Sequence, residues 1–261
     1  MFHIPEFDGS IVHWAVVIYL FSGPFLFIGE ATGWTSFGYS KFADRKARFA
    51  LPSRLGMLII YAPAVFSFWL APLLRGAELN TYVLLSGAMI SAHFAKRCAE
   101  VLFLHRYSGV MNLFTTVQIC FLYTTLSLLL GEISVTGFAE FPGGAPELTP
   151  LMFAGIGLWA LGTYGNFHHH RLLANLREEG ETDYKLPRGG LFGVVVCPHY
   201  TTELVGWFGF ALFFHHIGAL MMISVMGCYL AGRSHNTLKW YRDNLGEQLP
   251  NNWKRLVPYV Y

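Results

Sequence analysis

Apolar positions in this chain come in long, unbroken runs rather than in alternation. Seven such runs, about 11–31, 55–74, 82–104, 111–131, 150–170, 190–212 and 216–232, are separated by polar segments. Each is near the ~20 residues that a helix needs to cross a hydrocarbon core. Helices are preferred to strands because the runs are apolar throughout and lack period-2 alternation. The first run follows Glu6 and Asp8, with no basic n-region and no clear cleavage site, so it reads as a span rather than a cleaved signal. The pattern predicts an all-α integral membrane protein with seven transmembrane helices.

Composition removes the soluble classes. Of 261 residues, 54% are hydrophobic and 13% charged, whereas a soluble domain carries roughly 25% charge. A net charge of +2 offers no basic face for a nucleic acid. Cys98, Cys120, Cys197 and Cys228 are scattered and form no CxxC, so they read as small apolar packing residues. Charge placement gives a sidedness. With the N-terminus outside (lumenal) and the C-terminus cytosolic, Arg75 is the one basic residue left in an outer loop, and the other seventeen of eighteen Lys and Arg fall on the cytosolic side. The outer loop 132–149 carries Glu132, Glu140 and Glu147 and no Lys or Arg. This is the expected positive-inside asymmetry. The cytosolic pieces are 32–54, 171–189 and 233–261. No repeat or low-complexity linker interrupts the chain, so residues 1–261 are expected to form one membrane domain.

Ionisable residues at membrane depth are costly and mark candidate sites. The third run ends in His93, Lys96, Arg97 and Glu100, followed by His105 and Arg106. On a helix His93 and Arg97, and Lys96 and Glu100, are i,i+4 neighbours, which also suits a helix end paired internally at the interface. The fifth run ends in Asn166, His168, His169 and His170, with Arg177 beyond. Consecutive helical residues point about 100° apart, and no second separated histidine box follows. No metal is expected, and the run reads as a polar helix end at the headgroups. In the sixth run Pro198 starts a helix on which His199, Tyr200 and Glu203 share one face. That face suits a proton-transfer or cofactor pocket, or an interhelical hydrogen-bond cluster. The basic, aromatic tail from Arg233 through Lys239, Trp240, Tyr241 and Arg242 to Lys254 and Arg255 suits nucleotide phosphates and anionic headgroups equally.

These segments together resemble a known family. Leu186-Pro187-Arg188-Gly189-Gly190-Leu191-Phe192, Cys197-Pro198-His199-Tyr200 with Glu203 and Trp207, and Leu256-Val257-Pro258-Tyr259 resemble the C-terminal domain of the steroid 5α-reductase family. Tyr39-Ser40-Lys41-Phe42 and Leu51-Pro52-Ser53-Arg54 look like its N-terminal parts, and residues from about 110 to 261 carry the more specific likeness. The resemblance implies a seven-helix membrane reductase that uses NADPH to reduce a carbon–carbon double bond conjugated to a carbonyl. It places cofactor contacts on Arg97, His105, Asn166, Arg177, Tyr184, Glu203, Arg233 and Tyr241, groups suited to phosphate and ring recognition.

Departures from the steroid pattern point to a substrate. Ile60 and Tyr61 stand where steroid reductases carry Gln-Glu, Phe94 replaces their second substrate-polarising group, His170 replaces an aspartate of the nucleotide site, and Thr237 replaces a tail histidine. The stretch His93–Arg97 through Leu102–Ser108, with Leu238–Asp243, is closer to the very-long-chain trans-2-enoyl-CoA reductase branch, whose functional lysine and tyrosine match Lys96 and Tyr200. The expectation is a lipid enoyl thioester reduced by hydride transfer to the β-carbon and protonation of the α-carbon. Tyr200 is the proton donor, Lys96 eases that transfer, and Tyr61 donates a hydrogen bond to the carbonyl. A 3-oxo-Δ4-steroid is the alternative substrate, and an isoprenylcysteine-type S-adenosylmethionine methyltransferase the alternative enzyme. The expected partners are the substrate and membrane lipids, with no obligate protein partner. The expected location is the endoplasmic reticulum in a eukaryote and the inner membrane in a bacterium.

Overall fold

The computed structural model describes every residue except 1, 5–7, 35–36, 38–41, 43–48, 108, 139–140, 142–143, 177–184, 247–248 and 251. The described residues are mostly helical: α1 Ile11–Thr32, α2 Ser53–Ser67, α3 Leu70–Arg75, α4 Thr81–Ala99, α5 Leu113–Thr136, α6 Pro150–Ala174, α7 Pro198–Phe214 and α8 Ile217–Leu245. Short polar side chains set the starts. Ser10, Asn80, Asn112 and Thr149 each accept a hydrogen bond from a first-turn backbone N–H, satisfying a donor that the helix itself leaves unpaired. Pro150 and Pro198 occupy first-turn positions, where a missing N–H costs nothing.

Four helical stretches are long and apolar enough to cross a bilayer: Val12–Thr32, Ser53–Arg75, Leu113–Thr136 and Ile217–Leu245. The chain is an integral membrane protein. Helices α4, α6 and α7 fall outside that group of four: α7 is only 17 residues long, and α4 and α6 carry polar residues described below.

Several boundaries differ from the sequence expectation. The run over 55–74 is divided: α2 ends at Ser67 and α3 begins at Leu70. Pro72 has no N–H to offer the Phe68 carbonyl four residues back, and Gly131 of α5 packs directly on that carbonyl. The run over 190–212 begins with a 3-10 turn, Gly190–Gly193, and becomes a helix only at Pro198. The last helix continues to Leu245 rather than 232 because its extension buries Arg233, Ser234, Thr237, Leu238 and Tyr241. A two-stranded antiparallel ladder, β1 Ala50–Pro52 with β2 Val110–Asn112, was not legible from the runs; it ties the start of α2 to the start of α5.

Small residues let the helices approach closely. A Cβ on Gly162 of α6 would lie 2.6 Å from Gly206 Cα and from Thr202 O of α7, and one on Gly155 would lie 2.7 Å from Gly209 O. On the far side, a Cβ on Gly232 of α8 would lie 2.7 Å from Phe27 O of α1. Apolar association is weak between helices already in lipid, so backbone contact through glycine supplies the packing. The α6–α7 contact sets Asn166 against the first turn of α7.

Candidate active site

The last turn of α4 carries Lys96 and Arg97 and runs into a π-helical turn, Glu100–Leu104, closed by His105 N–H donating to Glu100 O at 2.8 Å. Such turns are a frequent feature of functional sites. Here the turn buries Glu100, 3% exposed, among cations. Lys96 Nζ lies 2.8 Å from Glu100 Oε1, and Arg97 Nη1 lies 2.6 Å from Oε2. His170 Nδ1 is 3.1 Å from the same Oε2 and 2.9 Å from Arg97 Nη1. The other guanidinium nitrogen, Nη2, donates to the Tyr61 hydroxyl at 2.9 Å, and Arg97 Cζ is 4.9 Å from the Tyr61 ring centroid.

Helices α6 and α7 complete the network. Lys96 Nζ donates to Asn166 Oδ1. Asn166 Nδ2 donates to His199 O at 2.8 Å and to Glu203 Oε2 at 3.3 Å. The His199 ring is 4.2 Å from that of Tyr200, whose side chain packs against both the main core and a satellite core of Val196, Cys197, Leu238, Tyr241 and Trp253. The ring of His105 meets that of His170 edge-on at 4.9 Å. Burial, and next the Arg97 cation, push His105 down to about 4, so its imidazole is neutral at pH 7. The fold thus brings Tyr61, Lys96, Arg97, His105, Asn166 and Glu203 into one connected cluster, with Tyr200 beside it.

Beyond the wall of this cluster lies a partly open apolar pocket, lined by α1, α5 and α8 residues that include Tyr19, Leu122, Tyr123, Met226 and Tyr229. The Tyr123 ring is 5.6 Å from Tyr61 and 5.4 Å from Phe94. Tyr123 therefore stands between the pocket and the Tyr61 ring, whose hydroxyl Arg97 holds.

Other candidates lie apart. Arg233 is 1% exposed; its Nη1 lies 3.2 Å from Glu30 Oε2, donates to Phe37 O at 3.0 Å, and its Cζ sits 4.3 Å over the Phe42 ring. It joins α8 to α1. Tyr241 belongs to the satellite core beside Trp240 and Trp253. Arg177 and Tyr184 lie outside the described residues. His93 turns toward Trp207 and Phe210 rather than Arg97. The histidine run is not a headgroup-facing end. His169 is buried, its Nδ1 donating to Gly165 O at 2.7 Å while Nε2 accepts from Leu191 N at 3.1 Å, and His170 is buried against Glu100. By sequence spacing Glu100 is an i,i+4 partner of Lys96. Potential ligand atoms of Glu100, His105 and His170 do lie within 4.8 Å of one another. The Arg97 guanidinium already contacts the Glu100 and His170 atoms, and its positive charge opposes a second cation there.

A dinucleotide needs donors for its phosphates, and the C-terminal end of α8 with the tail gathers cations that would suit them. Among the described residues, Arg255 Nε is buried without a hydrogen-bond partner, and its guanidinium lies 4.9 Å over the Tyr261 ring. Arg255, Lys239 and Arg242 all act electrostatically on His235. A guanidinium group with an unpaired buried donor among further cations fits a phosphate. The tail is fixed where it docks: Val196 N and Lys254 N bond to Lys254 O and Val194 O at 2.9 Å, and Thr201 Oγ1 donates to Leu256 O at 2.5 Å, next to Tyr200.

A family model described as 3-oxo-5-alpha-steroid 4-dehydrogenase matches residues 109–261, more than half of the chain. The chain belongs to this family. It is similar to the very-long-chain enoyl-CoA reductase of Dictyostelium discoideum, 33% identical over 175 residues, which cover 65% of this chain and 55% of that protein. The match thus spans about half of that relative's length. It is also similar to 3-oxo-5-alpha-steroid 4-dehydrogenase 1 of Mus musculus, 34% identical over 187 residues and 71% of each chain, and to that of Macaca fascicularis, 29% identical over 233 residues, 87% of this chain and 86% of the relative. Both branches read from the sequence are therefore represented. Membership of the steroid 4-dehydrogenase family makes the chain an oxidoreductase, and it displaces the methyltransferase alternative.

Proposed function

We propose that the chain is an NADPH-dependent reductase of a carbon–carbon double bond conjugated to a carbonyl, acting on a lipid trans-2-enoyl-CoA. One observation carries the reading: the Lys96–Glu100–Arg97–Tyr61 network is continuous with Asn166 and Glu203, abuts Tyr200, and is separated by the Tyr123 ring from an apolar pocket. Lys96 and Tyr200, matched beforehand to the enoyl reductase branch, belong to this neighbourhood.

When bound, NADPH supplies the hydride that the β-carbon receives. Arg255 with Lys239 and Arg242 would hold its phosphates. The substrate's carbonyl oxygen gains negative charge as the bond is reduced, and a donor already in position lowers that cost most. Tyr61 serves here. Its oxygen accepts from Arg97, which polarises the phenol and strengthens the hydrogen bond its own O–H gives to the carbonyl. Tyr200 donates the proton to the α-carbon. Lys96 reaches the backbone beside Tyr200 through Asn166, fixing the start of α7 and keeping positive charge near the phenol. The apolar cavity takes the hydrocarbon body of the substrate.

In this reading the chain is one membrane domain, 1–261, crossing the bilayer seven times with its N-terminus outside or lumenal and the active site toward the cytosol. The positive-inside asymmetry supports that threading. The host membrane is the endoplasmic reticulum of a eukaryote or the inner membrane of a bacterium. A 3-oxo-Δ4-steroid is the second substrate reading, favoured by the similarity to the 3-oxo-5-alpha-steroid 4-dehydrogenases. The test is NADPH oxidation by the detergent-purified chain with a trans-2-enoyl-CoA and, separately, the steroid. Oxidation with the thioester is expected; oxidation with the steroid alone transfers the assignment, and oxidation with neither refutes the reductase reading. Tyr200→Phe should lose roughly two to four decades of turnover with little change in NADPH affinity, and turnover like the wild type would remove Tyr200 from the mechanism.

A further inference from the structure

We infer that Glu100 is a positioning residue that orients both arms of the reaction at once, the carbonyl-polarising arm through Arg97 and Tyr61 and the protonating arm through Lys96 and Asn166. This rests on the reductase reading above. The two carboxylate oxygens of Glu100 are divided between the arms. Oε1 faces Lys96 Nζ at 2.8 Å, and Oε2 faces Arg97 Nη1 at 2.6 Å.

Two long, flexible cations would otherwise share a small volume and repel one another. Lys96 and Arg97 are adjacent in sequence, so their side chains leave the helix in directions about 100° apart. A carboxylate three and four residues further on lies within reach of both in ordinary helical spacing. The π-helical turn Glu100–Leu104 follows, and its closing hydrogen bond, His105 N–H to Glu100 O at 2.8 Å, fixes the backbone of Glu100 from the C-terminal side. His170 Nδ1, 3.1 Å from Oε2, braces the carboxylate from α6.

With Nη1 held this way, the planar guanidinium has one remaining orientation that puts Nη2 on the Tyr61 hydroxyl at 2.9 Å. With Oε1 held, Lys96 Nζ is set on Asn166 Oδ1, and Asn166 Nδ2 is set on His199 O, the residue before Tyr200. Glu100 contacts none of the groups assigned to donate to the substrate. Its effect reaches Tyr61 and Tyr200 only through its neighbours. The planar guanidinium of Arg97, held at Nη1 by Glu100 and at Nη2 by Tyr61, carries geometry between them, while the Lys96 contact acts as a charge anchor, and displacement of a reacting group by about 1 Å costs about 100-fold in rate.

The test uses the full-length protein in detergent with the substrate that supports NADPH oxidation. Glu100→Gln, which keeps the shape and removes the charge, should lower kcat by about 10- to 100-fold, while the NADPH Kd read by cofactor fluorescence stays near the wild-type value. Glu100→Asp should recover part of that kcat, and it keeps the test available if the glutamine variant does not fold. Combined with Tyr61→Phe, and separately with Lys96→Met, either Glu100 variant should lose less than the product of the single losses. A kcat equal to the wild type, a loss confined to NADPH Kd, or losses that simply multiply in either pair would overturn the proposal. A wild-type chain that oxidises no NADPH with any enone or enoyl thioester overturns the reductase reading, and this inference with it. That outcome is distinct from an active wild type with an indifferent Glu100.

Discussion

Gly162→Ala adds a single methyl group at the point where α6 and α7 touch. The new Cβ would stand 2.6 Å from Gly206 Cα and from Thr202 O, against 3.4–4 Å for ordinary contact, and the atoms it meets are backbone or bound to it. No side chain can rotate away, so the helices must part by most of an ångström. Overpacking of this kind costs about 1–3 kcal/mol, offset in part by the better helix propensity of Ala over Gly, about 1 kcal/mol. The effect on the site is larger than the effect on the fold. Asn166 is one turn along the same helix face, and its bonds to His199 O at 2.8 Å and Glu203 Oε2 at 3.3 Å cross the widened seam. A shift of that size takes both beyond hydrogen-bond range and, for catalytic geometry, costs about 100-fold in rate. The control lies on the same helix: a Cβ on Gly157 meets nothing within 4 Å, so Gly157→Ala should be at least as stable as the wild type and fully active. Thermal unfolding in detergent and NADPH-oxidation kinetics on both variants decide the matter. Equal stability and equal kcat for Gly162→Ala and Gly157→Ala would refute the claim that this glycine contact positions Asn166.

Three further outcomes follow from other parts of the structure. Glu30→Gln leaves the buried Arg233 guanidinium without its counter-charge and should cost about 3–5 kcal/mol, seen as a lowered thermal midpoint with or without cofactor; an unchanged midpoint contradicts it. Arg255→Leu should raise the NADPH Kd about tenfold or more, the value of a charged hydrogen bond, and weaken its salt dependence, while the apo protein keeps its stability. His105 titrates at about 4 in the folded chain against an ordinary 6.5. Between those values the unfolded chain holds a proton that the folded chain lacks, so its contribution is complete above pH 6.5 and is lost as the pH falls toward 4. His105→Asn should therefore flatten the decline in thermal midpoint across that window, and an unaltered slope would show that His105 does not titrate in this way.

Helices whose limits depend on apolar length and capping were legible in the sequence. The runs at 11–31, 111–131 and 150–170 became Ile11–Thr32, Leu113–Thr136 and Pro150–Ala174. Features that depend on a partner were not. The break between α2 and α3 pairs Pro72 with the close approach of Gly131 from another helix, and the β1–β2 ladder joins residues about sixty positions apart. The same division holds in the site. Lys96 with Glu100 could be seen as an i,i+4 pair. The hydrogen bonds that make Glu100 and Arg97 a hub run to Tyr61 and His170, which no local periodicity connects. Arg233 fits a phosphate or a buried carboxylate equally well by residue type, and the fold supplies Glu30.

The charge arrangement explains why the polar groups fall into two clusters. Lys96 and Arg97 are matched by Glu100 and Glu203 within the helix bundle, so the buried network is balanced and tolerable at low dielectric. A balanced network has no surplus cation for the phosphates of a dinucleotide. It does have donors fixed in direction, which is what a small developing charge on a carbonyl oxygen requires. Surplus cation is found at the far end of α8 and in the tail, where Lys239, Arg242 and Arg255 gather around His235. There they face the side of the membrane from which a soluble cofactor arrives in the proposed threading. Residues 253–256 then bind this basic cluster to the 3-10 turn Gly190–Gly193, through Trp253 Nε1 donating to Phe192 O at 2.5 Å, and to the first turn of α7, through Thr201 Oγ1 donating to Leu256 O. In the proposed reading, the tail that would take the phosphates is thereby hydrogen-bonded to the helix that carries Tyr200.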